Sequence, residues 1–263
     1  MSSSVKEKIK SYVLGQGTDD VGFGAVADYK SPLSPPVESI FPGAKTLIVV
    51  ACKELSNCES DNMRIAMSGR LDTMEFMRSI NFKLSRYLER EFNFRAMSTP
   101  LSYPLNMKKE ARYGLVSDFS HRHAAIAAGL GNWGRHNLVI HPRLGSTVLF
   151  TTVLCDAELP PDPKVTEELC NQCNACVENC PGRALDEEGK THEMKCMRNS
   201  QPYGIAGNMA FWKKFIDGTP DDQKKLMSSP EYMNLYQSAI IGFQYFCFKC
   251  YTSCPAMNGR YKA

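Results

Sequence analysis

The sequence has no long apolar run. None of its stretches reaches the roughly 20 apolar residues of a membrane-spanning helix, so no membrane partner is expected. Charge of one sign is also lacking. Its 31 Lys and Arg face 28 Asp and Glu, and the net charge of +3 gives no electrostatic argument for a nucleic-acid partner. The segment Met1-Ser2-Ser3-Ser4-Val5-Lys6 has neither an apolar leader nor a twin arginine, so a cytoplasmic, reducing location is expected. A disulfide framework has no support either. The cysteine count is odd, at 11, and a 263-residue chain that is 43% hydrophobic can bury a core without staples.

The cysteines that are present have a pattern. Cys170, Cys173, Cys176 and Cys180 read C-x2-C-x2-C-x3-C, closed by Pro181. Cys247, Cys250 and Cys254 read C-x2-C-x3-C, closed by Pro255. The first run is the bacterial ferredoxin pattern, whose fourth cysteine ligates the other cluster of a two-cluster module. Two near-copies therefore point to two [4Fe–4S] clusters. Zinc knuckles pair C-x2-4-C without the third cysteine and the proline, so zinc is the weaker metal. Two cubanes need eight thiolates and the motifs supply seven. The eighth is sought among Cys196, Cys155, Cys52 and Cys58. Cys196 lies between the motifs, whereas Cys52 and Cys155 follow apolar runs and read as buried free thiols. Crossed ligation then gives one cluster Cys170, Cys173, Cys176 and Cys254, and the other Cys180, Cys196, Cys247 and Cys250.

Periodicity predicts a helix over 5–14, a strand from Gly22 to Ala27, a proline-rich loop over 31–43 and a buried strand from Lys45 to Ala51. The longest helix is predicted over 70–92, and an Ala-rich one over 120–128 ending at Gly129. Strands follow at Asn137–Ile140 and Ser146–Leu154. The fold class is α/β (α+β), with one domain over 1–160, a linker at Leu159-Pro160-Pro161-Asp162-Pro163 and a cluster module over 161–263. Within that module, 200–245 reads as a helical insert rich in aromatics, among them Phe211, Trp212, Phe215, Tyr232, Phe243 and Tyr245, expected to pack over the clusters.

The stretch Ala128-Gly129-Leu130-Gly131-Asn132-Trp133-Gly134-Arg135-His136-Asn137 has G-x-G-x-x-G spacing. Here the glycines follow a helix and open a strand, the reverse of a dinucleotide fingerprint. They read either as a helix C-cap and tight turn, or as a bare backbone on which a flat cofactor can lie.

This stretch, with Val21-Gly22-Phe23-Gly24-Ala25, Phe41-Pro42-Gly43-Ala44-Lys45-Thr46-Leu47-Ile48-Val49-Val50, Pro142-Arg143-Leu144-Gly145-Ser146 and the paired cysteine motifs, resembles the epoxyqueuosine reductase and reductive dehalogenase superfamily of iron–sulfur, cobalamin-dependent reductases. The resemblance covers nearly the whole chain. It implies a nitroreductase-like domain that cradles cobalamin, followed by a ferredoxin-like domain that feeds it electrons. By that resemblance, Gly129, Leu130, Gly131, Trp133, Gly134, Arg135, Asn137, His141 and Gly145 are candidates to hold the cofactor. Epoxyqueuosine reductases place an acidic residue shortly before the glycine-rich loop, which makes Asp118 a candidate proton donor. His121, beside Arg122 and His123, is a second candidate, since imidazole titrates near neutral pH. Ser120 and Asp118 are also plausible helix caps, and the histidines plausible surface groups.

Epoxyqueuosine reductases continue into an extension that helps hold tRNA, and respiratory dehalogenases carry an export signal. Neither is seen between Met1 and Ala263, so a small-molecule substrate is expected. An external electron donor such as a ferredoxin or flavodoxin, and a homodimer, follow from the resemblance. The reading is a cytoplasmic iron–sulfur reductase that uses a corrinoid. Its alternatives are an electron-transfer or corrinoid-activating protein without a tight corrinoid site, and a flavin-dependent reductase.

Overall fold

The computed structural model describes residues 2–185, 190–242 and 244–259. Phe243 of the aromatic insert lies outside the described residues. In chain order the first part contains α1 (Ser2–Leu14), β1 (Asp20–Ala25), α2 (Val37–Ile40), β2 (Thr46–Lys53), α3 (Met63–Phe92) and β3 (Ala96–Ser98). It continues with α4 (His121–Ala127), β4 (Asn132–Trp133), β5 (Val139–Ile140) and β6 (Val148–Cys155). The remainder holds α5 (Ala175–Glu178), α6 (Glu193–Ser200), α7 (Ile205–Asp217), α8 (Pro220–Met227), α9 (Pro230–Ile241) and α10 (Lys249–Thr252).

The architecture is mixed α/β. Four strands form one sheet in the order β1-β2-β6-β3, with antiparallel pairing throughout. Strand β2 is central and buried along all but its last residue, which is why it reads as an unbroken β-branched run. Its side chains alternate. Leu47, Val49 and Ala51 join one core with Ala124, Ala127 and Ala128 of the α4 side. Ile48, Val50 and Cys52 join the other with Ile9, Met77, Ile80, Leu84 and Leu88 of α1 and α3. Complete burial of one such Leu or Ile contributes about 1.5–3 kcal/mol.

Helix α3 begins earlier than its apolar stripe predicts, because Asn62 caps it by accepting the Arg64 N–H at 3.1 Å. It ends at Asn93 in the left-handed conformation. The short strand β3 has no alternating pattern of its own and forms by pairing with β6. The 159–163 segment is docked: Leu159 is buried, and the Asp162 carboxylate accepts the Phe23 N–H at 2.9 Å and the Lys6 ammonium at 2.6 Å.

The aromatic insert packs differently from its expectation. Phe211 stacks with Tyr232 and meets Trp212 edge-on, and Trp212 in turn meets Phe215, so these rings form a small core among α7, α8 and α9 themselves. Tyr245, beyond α9, is the ring that reaches the cysteines. Among the described residues, no helix is long and apolar enough to cross a membrane.

Candidate functional site

Eight thiols gather in two sets. Cys176, buried on α5, lies within electrostatic range of Cys254, Cys170 and Cys173. Cys250, on α10, lies within range of Cys247, Cys196 and Cys180, and more weakly of Cys176 in the first set. Cys180 thus leaves the first motif for the second set, and Cys254 leaves the second motif for the first. The first motif can coil so tightly because Gln172 and Asn174 take left-handed φ of 57° and 64°, a conformation that Asn tolerates well. Helix α6 presents Cys196 from the far wall.

The donor chemistry fits iron–sulfur clusters. Burial, reinforced by neighbouring sulfurs, pushes the Cys176, Cys196, Cys247, Cys250 and Cys254 thiols up. Four such groups ionise together only around compensating positive charge, which an iron–sulfur core supplies. Backbone donors already face the sulfurs: Ala184 N–H lies 3.2 Å from Cys180 Sγ, and Arg135 N–H 3.4 Å from Cys170 Sγ. Burial pushes Cys52 up to about 12, and Cys58 and Cys155 up to about 11, as suits inert packed thiols.

The glycine-rich loop joins the halves of the molecule. Gly129 packs on the Pro163 carbonyl and Gly131 on the Ile140 carbonyl. Gly145, at φ +82°, leaves only 2.1 Å between an added Cβ and the Ala256 carbonyl oxygen, just beyond Cys254 and Pro255. These bare faces are filled by the chain's own backbone. Leu130 is buried in the α4-side core, and Trp133 packs against it while meeting His123 edge-on. Gly134 makes room for the His136 ring, since a Cβ there would stand 2.5 Å from its Cε1. His141 is a pin: its Nδ1 accepts the Arg143 and Leu144 N–H groups at 3.1 Å each, and its Nε2 stands 3.2 Å from the Asp20 carboxylate. Burial works to raise the Asp20 pKa, but hydrogen bonds from His141, the Val21 N–H and Arg143 outweigh it and hold the carboxyl at about 2.

A cleft runs from the second thiol set into the first domain. One cavity of about 370 Å³ is lined by Cys180, Cys196, Cys247, Cys250, His136 and Tyr245 among others. A neighbouring one of about 300 Å³ reaches His121, Phe119 and Phe150. Ser102, Leu105, Arg122 and Leu138 line both, so the two adjoin. Asn137 lines the first cavity, and the Arg122 guanidinium donates to its carbonyl at 2.5 Å. His136 is 4% exposed. Its Nδ1 accepts the Leu138 N–H at 3.2 Å, which puts its proton on Nε2, and that atom is buried without a hydrogen-bond partner among the described residues. Burial pushes its pKa down to about 4.

His121 and Asp118 sit at the far end. The His121 Nε2 faces the Pro100 carbonyl at 2.9 Å and its Nδ1 the Thr152 hydroxyl at 3.1 Å. Burial takes its pKa down to about 4 against the opposing pull of that carbonyl. Asp118 is half-buried, with the Asn106 amide 3.4 Å away, and its neighbours Ser117 and Phe119 line the smaller cavity. Ser120 occupies the N-cap of α4, but its hydroxyl contacts His123 Nδ1 at 2.8 Å instead of capping the helix.

Sequence reasoning passes over Arg122, Arg70 and Glu54. Arg122 has no motif of its own. Arg70 carries a legible signal, for it is a charge on the buried stripe Ala66, Thr73, Met77, Ile80 and Leu84 of α3.

The family model for a 4Fe-4S binding domain matches residues 163–186. The chain is 24% identical over 220 residues to an epoxyqueuosine reductase of Prochlorococcus marinus (strain NATL2A), covering 77% of this chain and 65% of that one. It is 22% identical over 279 residues to an epoxyqueuosine reductase of Bacillus cereus, covering 97% and 65%. It therefore spans about two thirds of the length of these relatives. Among solved structures, an epoxyqueuosine reductase with an epoxyqueuosine-modified tRNA-Tyr stem loop matches at TM-score 0.62 and 17% identity, over 99% of this chain and 67% of that one. A reductive dehalogenase matches at TM-score 0.61 and 16% identity, over 100% and 38%. The stem loop on the first of these overturns the expectation of a small-molecule substrate with nucleic acid set aside. That expectation rested on the tRNA-holding extension not seen between Met1 and Ala263 and on net charge, which sums over the whole surface and is blind to where the cations lie.

Proposed function

We propose that this chain, which belongs to the epoxyqueuosine reductase and reductive dehalogenase superfamily, is an iron–sulfur reductase with two [4Fe–4S] clusters and a corrinoid in the cleft that borders the second thiol set. The pair of adjoining cavities with Cys180, Cys196, Cys247 and Cys250 at one end and His121 at the other carries this reading. The substrate class it favours is a modified nucleoside in a tRNA stem loop, as on the solved relative.

The chain's own groups suit these tasks. Cys173 is exposed, so the first set lies where a ferredoxin or flavodoxin in a reducing compartment can approach, while the second set faces the cleft. The unpaired His136 Nε2–H fits the amide-rimmed edge of a corrinoid, with Arg122, Asn137 and Leu138 beside it. When bound, that group supplies the reductive chemistry at its metal, and the polypeptide positions it. His121 is neutral at physiological pH, and both its ring nitrogens are engaged, so it holds the wall of the cleft. Asp118 is the proton donor in this reading, its sequence neighbours Ser117 and Phe119 lining the smaller cavity.

The test is anaerobic titration of cluster-reconstituted protein with hydroxocobalamin, gel filtration and an absorption spectrum, followed by incubation with an epoxyqueuosine-bearing stem loop and reductant. Stoichiometric corrinoid and product queuosine support the reading. Intact clusters without corrinoid retention remove it and leave an electron-transfer protein, and a flavin spectrum replaces the cofactor.

A further inference from the structure

Behind the second thiol set lies a buried charge that the cleft does not use. Glu54 follows the last residue of β2, and Arg70 sits on the buried stripe of α3. Their side chains are 1% and 11% exposed and form an ion pair, and Arg70 also donates to the Tyr251 hydroxyl. The guanidinium carbon stands 5.1 Å from the ring centres of Tyr245 and Phe248 and 5.8 Å from that of Tyr251. These three rings flank Cys247 and Cys250 in sequence. Cys250 packs with Phe248, Tyr251, Cys58 and Ala66 in one apolar cluster. Tyr245 lies within electrostatic range of Arg70 on one side and of Cys250, Cys196 and Cys247 on the other.

A buried ion pair is a poor way to stabilise a fold, because apolar residues of the same volume do as well or better. Its placement has a use beside a redox centre. One-electron reduction adds a negative charge to a cluster, and a buried cation across one aromatic ring favours the reduced form far more than an exposed one does. A buried carboxylate has the opposite effect.

Resting on the two-cluster reading, we propose that Arg70 is an electrostatic positioning residue that raises the reduction potential of the cluster at Cys180, Cys196, Cys247 and Cys250, with Glu54 as its counterweight. Electrons entering at the other cluster then settle at the one that borders the cleft.

The test is an anaerobic potentiometric titration followed by electron paramagnetic resonance on reconstituted wild type, Arg70→Gln, Arg70→Lys and Glu54→Gln. Arg70→Gln is expected to lower the midpoint of one cluster by about 59 mV or more, a tenfold change in its one-electron equilibrium. Glu54→Gln is expected to raise the same midpoint, and Arg70→Lys to hold it near wild type, while the other cluster does not move. Shifts of Arg70→Gln and Glu54→Gln in the same direction, or none in either, overturn the inference. Should Arg70→Gln fail to fold, Glu54→Gln and Arg70→Lys still decide it by the same signs. A wild type holding about four irons instead of about eight is a separate failure, that of the two-cluster reading, and removes this inference with it.

Discussion

The backbone N–H of Arg135 points at the sulfur of Cys170 from 3.4 Å, so the glycine-rich loop touches the first thiol of the ferredoxin-type motif. Loop and module are therefore one site, and a change at their junctions is read out in iron as well as in stability.

Gly145→Ala tests that junction most directly. The φ of +82° and the 2.1 Å approach to the Ala256 oxygen leave no room for a methyl group. We expect a loss on the order of 2 kcal/mol or more, with iron lost from the set that includes Cys254. Thermal unfolding and iron analysis of the reconstituted variant check it. Full iron at unchanged stability would contradict the packing described.

Cys196→Ser is expected to remove about four irons of about eight, because Cys196 shares its surroundings with Cys180 and Cys247. Cys155→Ser, in a packed strand away from both sets, is expected to keep all of them. Iron and sulfide assays distinguish the two.

Acid stability should report Asp20. Its carboxyl is held at about 2 against the ordinary 3.8, so its contribution is complete above about pH 4 and is lost as pH falls through 3.8 toward 2. For this partly screened group we expect about 1–2 kcal/mol. Asp20→Asn should flatten the fall in urea midpoint across that window.

His121 works in a higher window. Its pKa is lowered from 6.5 to about 4, so the folded state disfavours its proton and stability falls as pH drops from 6.5 toward 4. His121→Gln, which keeps hydrogen-bonding capacity without a titrating ring, should weaken that slope. The same shift predicts that His121 adds no inflection near pH 6.5 to a rate profile.

Much of this was legible in residue order. The unbroken apolar run Leu47 to Val50 gave the central strand, and the first Cys-Pro motif gave the 4Fe-4S character that the family model finds over 163–186. What was hidden depends on contacts between distant segments. Ala96–Ser98 is a strand only because β6 offers it partners. Arg122 stands out because it lines both cavities, which no spacing encodes. The glycines of 129–145 were visible as positions needing freedom, but not what filled the space they leave, which is Pro163, Ile140 and Ala256. Bulk charge misled about nucleic acid for the reason that composition carries no positions.

The exchange of Cys180 and Cys254 between the two sets also bears on manufacture. Each set draws thiols from both motifs, and residues 200–245 lie between them. The second set is complete only once residue 250 has been made, and the first only once residue 254 has. A nascent chain stalled in α7, α8 or α9 therefore carries three thiols of the first set and two of the second.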